Sequence, residues 1–279
     1  MEVNGRRVTW REPETAGPGV PVMFAHCSMA HSGLWKPMLA ELAPERRAVS
    51  VDMPAHGGSE PPPEGMGLQR HALDACEALA ERMVAAHGGP IHLVGLSLGG
   101  AVLGRLALAR PELARSLTQI EPVWFFLLGA QGETGAAAAE TEFSRTLLAK
   151  VEAGDPDGAA EFFVDSWGAP GGYESLGPEG RAYAARCVEH LAKDMDMVHG
   201  QPPGQLTIEE IARMRPPLTL IGGAESPASA GKVLDVIEGA VAGARRVTIP
   251  GAGHLSPVTH WPEVLAVLRE SFEAAERAA

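Results

Sequence analysis

The feature that most constrains the fold of this chain is a five-residue turn with glycine at both ends. Residues 95–99 read Gly-Leu-Ser-Leu-Gly, between an apolar run at residues 91–94 and a helical pattern at residues 100–110. A strand that turns this tightly into a helix leaves no room for a β-carbon on either flank, and glycine has none. The turn exposes Ser97 above the sheet, near backbone N–H groups of a helix N-terminus that favour negative charge. The open alternative is a glycine-rich turn with an incidental serine.

Short apolar runs alternate with helical patterns on both sides of this turn, which indicates a mostly parallel sheet with helices on both faces. The run at residues 20–26 is apolar almost throughout, as expected for a strand buried on both faces. The predicted strands cover residues 7–11, 20–26, 48–53, 91–94, 117–120, 218–221 and 246–249. The predicted helices of this α/β part cover residues 34–42, 71–84, 100–110 and 261–275, with a loop rich in proline and glycine at 54–67.

The pattern changes between residues 123 and 205, where strand candidates disappear. Helical patterns at residues 136–152, 159–167 and 180–193 are separated there by breaks rich in glycine and proline. We interpret this segment as a helical cap inserted into an α/β core. The predicted domains are therefore a core of residues 1–122 and 206–279 and a cap (lid) of residues 123–205, which suits a chain of 279 residues.

A histidine in the last third of the chain is the candidate partner of Ser97. A serine needs a base within hydrogen-bond reach to act as a nucleophile, and that base is usually a histidine held by a carboxylate. The last predicted strand is followed by Gly-Ala-Gly and then by His254. His260 lies in the same segment, but it abuts a Trp-Pro pair at a helix start and is the weaker candidate.

Three of these motifs resemble those of the α/β-hydrolase family. They are the turn at residues 95–99, the histidine loop at 251–254 and the segment Asp-Met-Pro-Ala-His-Gly-Gly-Ser at 52–59. The resemblance extends over nearly the whole chain. It implies the α/β-hydrolase fold with a cap and a Ser97 nucleophile at the turn, which is called the nucleophile elbow and leads into the elbow helix. It also implies a triad in the chain order serine, acid, histidine. Asp52 is interpreted as structural, since an aspartate there can bind loop backbone.

The acid of the triad has two candidates. The family usually places it in the loop after the next-to-last strand, commonly as Gly-x-x-Asp-Pro, but this loop reads Gly-Gly-Ala-Glu-Ser-Pro at residues 222–227. Ser226 stands where the aspartate is expected, and Glu225 is one position early. Some members, such as haloalkane dehalogenases with a glutamate there, take the acid from the end of the strand after the elbow helix, which here is Glu121. A carboxylate that ends an apolar strand is costly unless paired, so we favour Glu121 and keep Glu225 as the alternative.

The oxyanion hole needs two backbone N–H donors near the serine. Leu98, the residue after the nucleophile, supplies one. The family takes the other from the loop after an early strand, often His-Gly-x, and the corresponding residues 26–29 read His-Cys-Ser-Met. Ser28 is the predicted second donor, with Met29 as the alternative. Cys27, which replaces the glycine, is expected to be a small, buried and inert residue.

The predicted substrate pocket lies between the carboxyl edge of the sheet and the cap. Three aromatic residues follow Glu121 directly, and packing within the cap core is the open alternative for two of them. The predicted lining residues are Met29, Trp35, Trp124, Phe125, Phe126, Trp167 and Leu255. A pocket of this composition suits a small or medium, largely apolar ester.

The resemblance implies a hydrolase that forms an acyl-enzyme on Ser97, with an ester or a lactone as substrate. An elbow serine excludes dehalogenation and epoxide hydrolysis, which use an aspartate in this family. One alternative is a carbon–carbon bond hydrolase of a ring-cleavage diketone, which needs a pocket arginine. The candidates for that arginine are Arg105, Arg145, Arg181 and Arg186. Another alternative is a non-catalytic member that binds a small ligand.

Net charge, apolar run length and cysteine spacing limit the binding partners and the compartment expected for this chain. The net charge of −12 argues against nucleic acid and an anionic membrane surface as partners, and no apolar run is long enough to span a bilayer. Cys27, Cys76 and Cys187 lack the spacing of a disulfide scaffold or a zinc site, which suggests reduced thiols in a cytoplasm. The expected partner is a small-molecule substrate, without metal or cofactor, and a homodimer through the cap helices stays open.

Overall fold

The computed structural model of the protein describes residues 1–130, 132–168, 171–194 and 206–278. Its strands, numbered along the chain, are β1 (Glu2–Val3), β2 (Arg6–Arg7), β3 (Trp10–Arg11), β4 (Gly19–Ala25), β5 (Arg46–Val51), β6 (Ile91–Leu96), β7 (Ala114–Ile120), β8 (Leu218–Gly223) and β9 (Arg245–Ile249). Its helices are α1 (Lys36–Leu42), α2 (Leu68–His87), α3 (Leu98–Ala109), α4 (Phe126–Ala130), α5 (Thr134–Glu152), α6 (Pro156–Trp167), α7 (Gly172–Ser175), α8 (Pro178–Ala192), α9 (Ile208–Ile211), α10 (Ala228–Ala240), α11 (Ser256–Thr259) and α12 (Trp261–Arg277). Within the described ranges, no helix combines the length and the hydropathy needed to cross a bilayer.

In the described chain, seven strands form one sheet in the order β3-β5-β4-β6-β7-β8-β9. The neighbouring pairs from β5 to β9 are parallel, and β3 pairs with β5 in the antiparallel direction. Parallel neighbours need crossover connections, which the helices of the alternating pattern supply. The predicted fold class, a mostly parallel sheet flanked by helices, is confirmed.

Side chains of β4 alternate between two layers of the hydrophobic core. Met23 and Ala25 pack in the layer beneath α2 and α3, whereas Val22 and Phe24 pack in the layer beneath α1 and α12. All four are fully buried. Because helices cover both faces of the sheet, β4 reads in the sequence as an uninterrupted apolar run.

The structure differs from the sequence prediction at the N-terminus and after β8. The single strand predicted at residues 7–11 is wrong in extent. Arg6–Arg7 pairs with Glu2–Val3 in a small hairpin, and only Trp10–Arg11 joins the edge of the main sheet. Helix α10 was not predicted, although Ala230, Val233, Leu234 and Ile237 recur at helical spacing and are buried, the last three in the core layer of the sheet.

Helices α4 to α8 lie between β7 and β8 and are called the helical insertion below. Helices α5, α6 and α8 surround a small core of their own, which contains Leu147, Ala159, Ala160, Tyr173, Ala184, Val188 and Leu191. Trp124 and the residues up to Leu128 pack instead into the core layer of the sheet. The domain boundaries at residues 122 and 206 stay a prediction, and residues 131, 169–170 and 195–205 of the predicted cap lie outside the described residues.

Candidate active site

Ser97 occupies the tight turn between β6 and α3. Its backbone has a φ of 55° and a ψ of −116°, a conformation that costs a residue other than glycine about 1–3 kcal/mol. A β-carbon on Gly95 would lie 2.4 Å from backbone atoms of Gly99, and one on Gly99 would lie 2.3 Å from the carbonyl oxygen of Ala25. The steric requirement for both glycines is thus confirmed, and the serine is held at the N-terminus of α3.

Glu121 follows β7 directly and binds the imidazole of His254. Its Oε2 lies 2.7 Å from Nδ1 of His254, and the two side chains are only 1% and 5% exposed. A carboxylate can only accept here, so Nδ1 carries the proton and Nε2 is left as the basic nitrogen. Glu121 has a φ of 43°, a second strained non-glycine residue at the site. Burial alone would raise the pKa of Glu121, but hydrogen bonds, first that of His254, hold it below its ordinary value.

Ser97 and His254 line the same cavity. Both residues belong to the described part of the chain, and no hydrogen bond of 3.5 Å or less joins their side chains. Such contacts are often loose before substrate binds and tighten in the reacting complex. His260, the weaker candidate, binds the hydroxyl of Thr259 and lies apart from this cavity wall.

The loop after β8 supports Glu121 instead of supplying the acid. Oε1 of Glu121 accepts hydrogen bonds from the backbone N–H of Gly223 at 2.7 Å and from the hydroxyl of Ser226 at 2.5 Å. Glu225 is exposed to solvent, and its backbone N–H donates to the carbonyl of Ala252. The structure therefore brings Glu121 to His254 and turns the alternative, Glu225, away. Sequence reasoning missed the role of Ser226, although its position in the place of the usual aspartate was the signal.

Two backbone N–H groups near Ser97 fit the predicted oxyanion hole. Leu98 is the first residue of α3, so its N–H has no partner within the helix. Ser28 lines both cavities that contain Ser97. The alternative donor, Met29, is engaged elsewhere, because its N–H donates to Nε2 of His56 at 3.0 Å. The assignment of Leu98 and Ser28 as the pair of donors stays a prediction.

Two buried histidines hold the loop that carries Ser28. Nε2 of His26 accepts from the N–H of Met53, and Nδ1 of His56 donates to the carbonyl of Pro54. Burial lowers the pKa of His26 to about 3 and that of His56 to about 4. Both rings are therefore neutral at pH 7, as an acceptor nitrogen requires. Sequence analysis assigned no role to either ring, although both stand in loops that it had singled out.

Tyr183 connects the helical insertion to the same loop. Its hydroxyl donates to the carbonyl of Ala30 at 2.6 Å and accepts from the N–H of Gly57 at 2.9 Å. Helix α8 is thereby fixed to two loops at the carboxyl edge of the sheet. This contact has no motif in the sequence, and nothing there pointed to it.

Asp52 organises these loops through hydrogen bonds. Its Oδ1 accepts from the N–H of Ser32 at 2.7 Å, and its Oδ2 accepts from Thr9 Oγ1 at 2.8 Å and from the N–H of Gly58 at 3.2 Å. The carboxylate has no contact with His254. The predicted structural role of Asp52 is confirmed.

Two cavities meet at Ser97. The large cavity, of about 500 Å³, lies beneath α6 and α8 and has a mostly apolar wall. It is lined by Cys27, Ser28, Met29, Ala30, His31, Gly33, Leu34, Ser97, Phe163, Val164, Trp167, Gly168, Leu176, Gly180, Tyr183, Ala184, His254, Leu255 and Val258. The small cavity, of about 30 Å³, is lined by Ser28, Ser97, Leu98, Val123, Phe125, Glu140, Phe143, Phe163, Trp167 and Leu191.

Some of the predicted lining residues line a cavity, and the others are buried in the core. Met29, Trp167 and Leu255 line the large cavity, and Phe125 and Trp167 line the small one. The ring of Trp167 lies 4.8 Å from that of His254. Three predictions are wrong, because Trp35, Trp124 and Phe126 are buried in the core and line neither cavity. Trp35 packs on Phe24 beneath the sheet, with ring centroids 4.8 Å apart.

The four candidate arginines are not among the residues that line the two cavities. Arg145 pairs with a glutamate of its own helix, Arg181 donates to two backbone carbonyls, and Arg186 lies over the ring of Tyr183. Arg105 lies on α3. Among the residues that the structure describes, neither cavity is lined by an arginine or a lysine.

The cysteines are expected to resist alkylation in the folded protein. Burial raises the pKa of Cys27 and of Cys76 to about 12 and that of Cys187 to about 11. Because the thiolate is the reactive form, iodoacetamide near pH 8 should add no mass to native protein. The same reagent in urea should label all three thiols. Rapid labelling of native Cys27, which lines the large cavity, would contradict its interpretation as inert.

Comparisons with known proteins agree with this architecture. A sequence model of the alpha/beta hydrolase family matches residues 22–267. The chain is 26% identical over 263 residues to a pimeloyl-[acyl-carrier protein] methyl ester esterase of Nitrosomonas europaea, covering 90% of this chain and 94% of that protein. A hydrolase from Pseudomonas aeruginosa PA01 superposes with a TM-score of 0.72 at 23% identity, over 96% of this chain and 95% of that one. The enol-lactonase of Burkholderia xenovorans LB400 gives 0.71 at 18% identity, over 97% and 98%. With the family's sequence model matched over most of its length, the chain belongs to the alpha/beta hydrolase family.

Proposed function

We propose that the protein is a serine hydrolase that cleaves a small to medium, largely apolar carboxylic ester or lactone through an acyl-enzyme on Ser97. One observation carries this proposal. The buried hydrogen bond of 2.7 Å from His254 to Glu121 leaves the second ring nitrogen as a base on the wall of the cavity that contains Ser97. Nucleophile, base and acid are thus supplied by the ends of β6, β9 and β7.

The proposed reaction has two steps. Nε2 of His254 takes the hydroxyl proton while Oγ of Ser97 attacks the carbonyl carbon, and the resulting oxyanion accepts hydrogen bonds from the N–H groups of Leu98 and Ser28. The bond to the alcohol oxygen then breaks, and His254 gives its proton to the departing alcohol. Water next loses a proton to His254 and attacks the acyl-enzyme, and Ser97 regains that proton as the acid leaves. Glu121 stays ionised throughout and stabilises the imidazolium.

The walls of the site indicate the substrate class. The large cavity is mostly apolar, and its volume of about 500 Å³ suits a small to medium molecule. No arginine or lysine of the described residues lines it, which favours an uncharged ester over an acidic diketone. The relative from Nitrosomonas europaea is by name a methyl ester esterase, which supports an ester as the bond cleaved.

An active-site label tests the proposal. An alkyl fluorophosphonate phosphonylates an activated serine, with fluoride as the leaving group, and leaves a stable tetrahedral adduct. We expect one adduct, on Ser97, with p-nitrophenyl butyrate hydrolysis falling in proportion to labelling. Exposed Ser175 and heat-denatured protein serve as controls and should stay unlabelled. Full turnover after complete labelling of Ser97, or no turnover by the wild type, would contradict the proposal.

A further inference from the structure

The helical insertion contributes one buried acidic side chain that the proposed reaction does not use. Glu140 lies on α5 and is only 7% exposed. Its Oε2 has no hydrogen-bond partner among the described residues. A buried oxygen without a hydrogen-bond partner carries a cost in free energy. A hydrogen bond from this carboxyl group to a bound ligand would offset that cost.

Glu140 lines the small cavity, which also contains Ser97. The other walls are the two residues of the oxyanion hole and a ring of apolar side chains. Glu140 is the one acidic or basic side chain among the described residues of this wall. A volume of about 30 Å³ accommodates one or two non-hydrogen atoms. The small cavity is therefore a small branch of the site with one ionisable side chain, that of Glu140, on its described wall.

The protonation state of Glu140 decides what that group can bind. Burial raises the pKa of Glu140 above its ordinary value, although the Ser229 hydroxyl and the charge of His254 act in the opposite direction. Burial thus favours the uncharged acid, which has an O–H to donate. An oxygen atom of a ligand is the natural acceptor.

The positions of the two cavities relative to His254 indicate which part of the substrate enters each. His254 gives its proton to the leaving alcohol, so the alcohol part must lie against the imidazole. The large cavity is lined by His254, and the small cavity is not. The acyl part, whose carbonyl oxygen points to Leu98 and Ser28, is left to the small cavity that these two residues line.

On the basis of the serine hydrolase function proposed above, we propose that Glu140 determines specificity by donating a hydrogen bond to an oxygen on a short acyl group. The substrate class that fits is an ester of a short acid with an oxygen on C2, such as a 2-hydroxy acid, with a larger apolar alcohol. The apolar alcohol occupies the large cavity, and the oxygenated acyl group meets Glu140.

Benzyl glycolate and benzyl propionate test this assignment, because they differ only at C2 of the acyl group. C2 carries a hydroxyl group in glycolate and a methyl group in propionate. The ratio of kcat/KM for glycolate over propionate is measured by benzyl alcohol release and divided by the ratio for hydroxide-catalysed hydrolysis. For the wild type we expect a corrected preference of about tenfold or more for glycolate, the value of one well-placed hydrogen bond. A corrected ratio near one in the wild type would overturn the proposal without any variant.

Two variants of Glu140 and one matched control sharpen the test. Glu140→Met keeps the length of the side chain without its oxygens and should remove the corrected preference for glycolate over propionate. Glu140→Gln keeps a donor and should retain most of the preference. Glu152→Gln, on the exposed side of the same helix, should match the wild type. If the preference for glycolate is unchanged in Glu140→Met, the role of Glu140 is overturned. If the wild type hydrolyses none of the three substrates, the two benzyl esters and p-nitrophenyl butyrate, the hydrolase function itself is overturned.

Discussion

Replacing Ser97 with alanine is expected to lower kcat for p-nitrophenyl butyrate by at least about three orders of magnitude. In the proposed mechanism, the variant loses the oxygen that would form the acyl-enzyme, while the proposed oxyanion donors and the cavity stay in place and leave a small residual rate. Ser97 is buried, with 4% of the residue exposed, and no hydrogen bond of its side chain holds the turn within the described residues, so the thermal midpoint should stay close to that of the wild type. Steady-state kinetics and calorimetry on the same preparations measure both quantities.

A matched control makes this result specific. Ser175→Ala, at an exposed position on α7, should keep kcat within about twofold of the wild type, as surface substitutions usually do. If Ser97→Ala kept more than about a tenth of the wild-type rate, far above the residual rate that a missing triad member leaves, an acyl-enzyme on this residue would be disproved.

Replacing Glu121 with glutamine should lower kcat by about a thousandfold or more. The amide has the shape of the carboxylate but no charge, so it cannot compensate the imidazolium. Its NH₂ group can also donate to Nδ1 of His254, which would place the ring proton on the nitrogen that has to act as base. Ser226 and Gly223, which donate to Glu121, would still find the amide oxygen, so the loop should keep its structure.

Glu225→Gln is the control for this prediction. The side chain of Glu225 is exposed to solvent, and its backbone N–H donates to the carbonyl of Ala252. Because the substitution leaves that backbone contact intact, the variant should differ from the wild type by less than about twofold in kcat/KM. The reverse outcome, with Glu225→Gln impaired and Glu121→Gln active, would assign the acid to the loop after β8. Two impaired variants would show that both carboxylates act on His254.

The elements of the site that depend on local sterics were predictable from the sequence. Gly95 and Gly99 are required because any β-carbon would collide with backbone. The spacing of the two glycines around the serine in the sequence indicates that constraint. Glu121 was predictable for an energetic reason, since a carboxylate at the end of a buried strand needs a partner. Its geometry with His254 depends on the register of β6, β7 and β8, which the motifs alone do not specify.

The lining of the cavities was predictable only in part, because periodicity shows that a helix has an apolar face but not what that face meets. Trp35 and Trp124 were expected to line the pocket, the latter because it follows Glu121 closely, yet both fill the core. Phe163 and Tyr183, which line the large cavity, belong to helices whose placement over the sheet is set by tertiary packing. Glu140 reads in the sequence as one more glutamate of a polar helix, and only the fold buries it.

The contact between Ser226 and Glu121 has a consequence for how such a site can change over time. With Ser226 Oγ 2.5 Å from Oε1, an aspartate at position 226 would bring a second carboxylate against the first. Two carboxylates this close cannot both ionise, and a shared proton would cancel the charge that the imidazolium needs. The two placements of the acid are thus mutually exclusive. A carboxylate at position 226 would therefore require an uncharged residue at position 121, and a carboxylate at position 121 requires an uncharged residue at position 226.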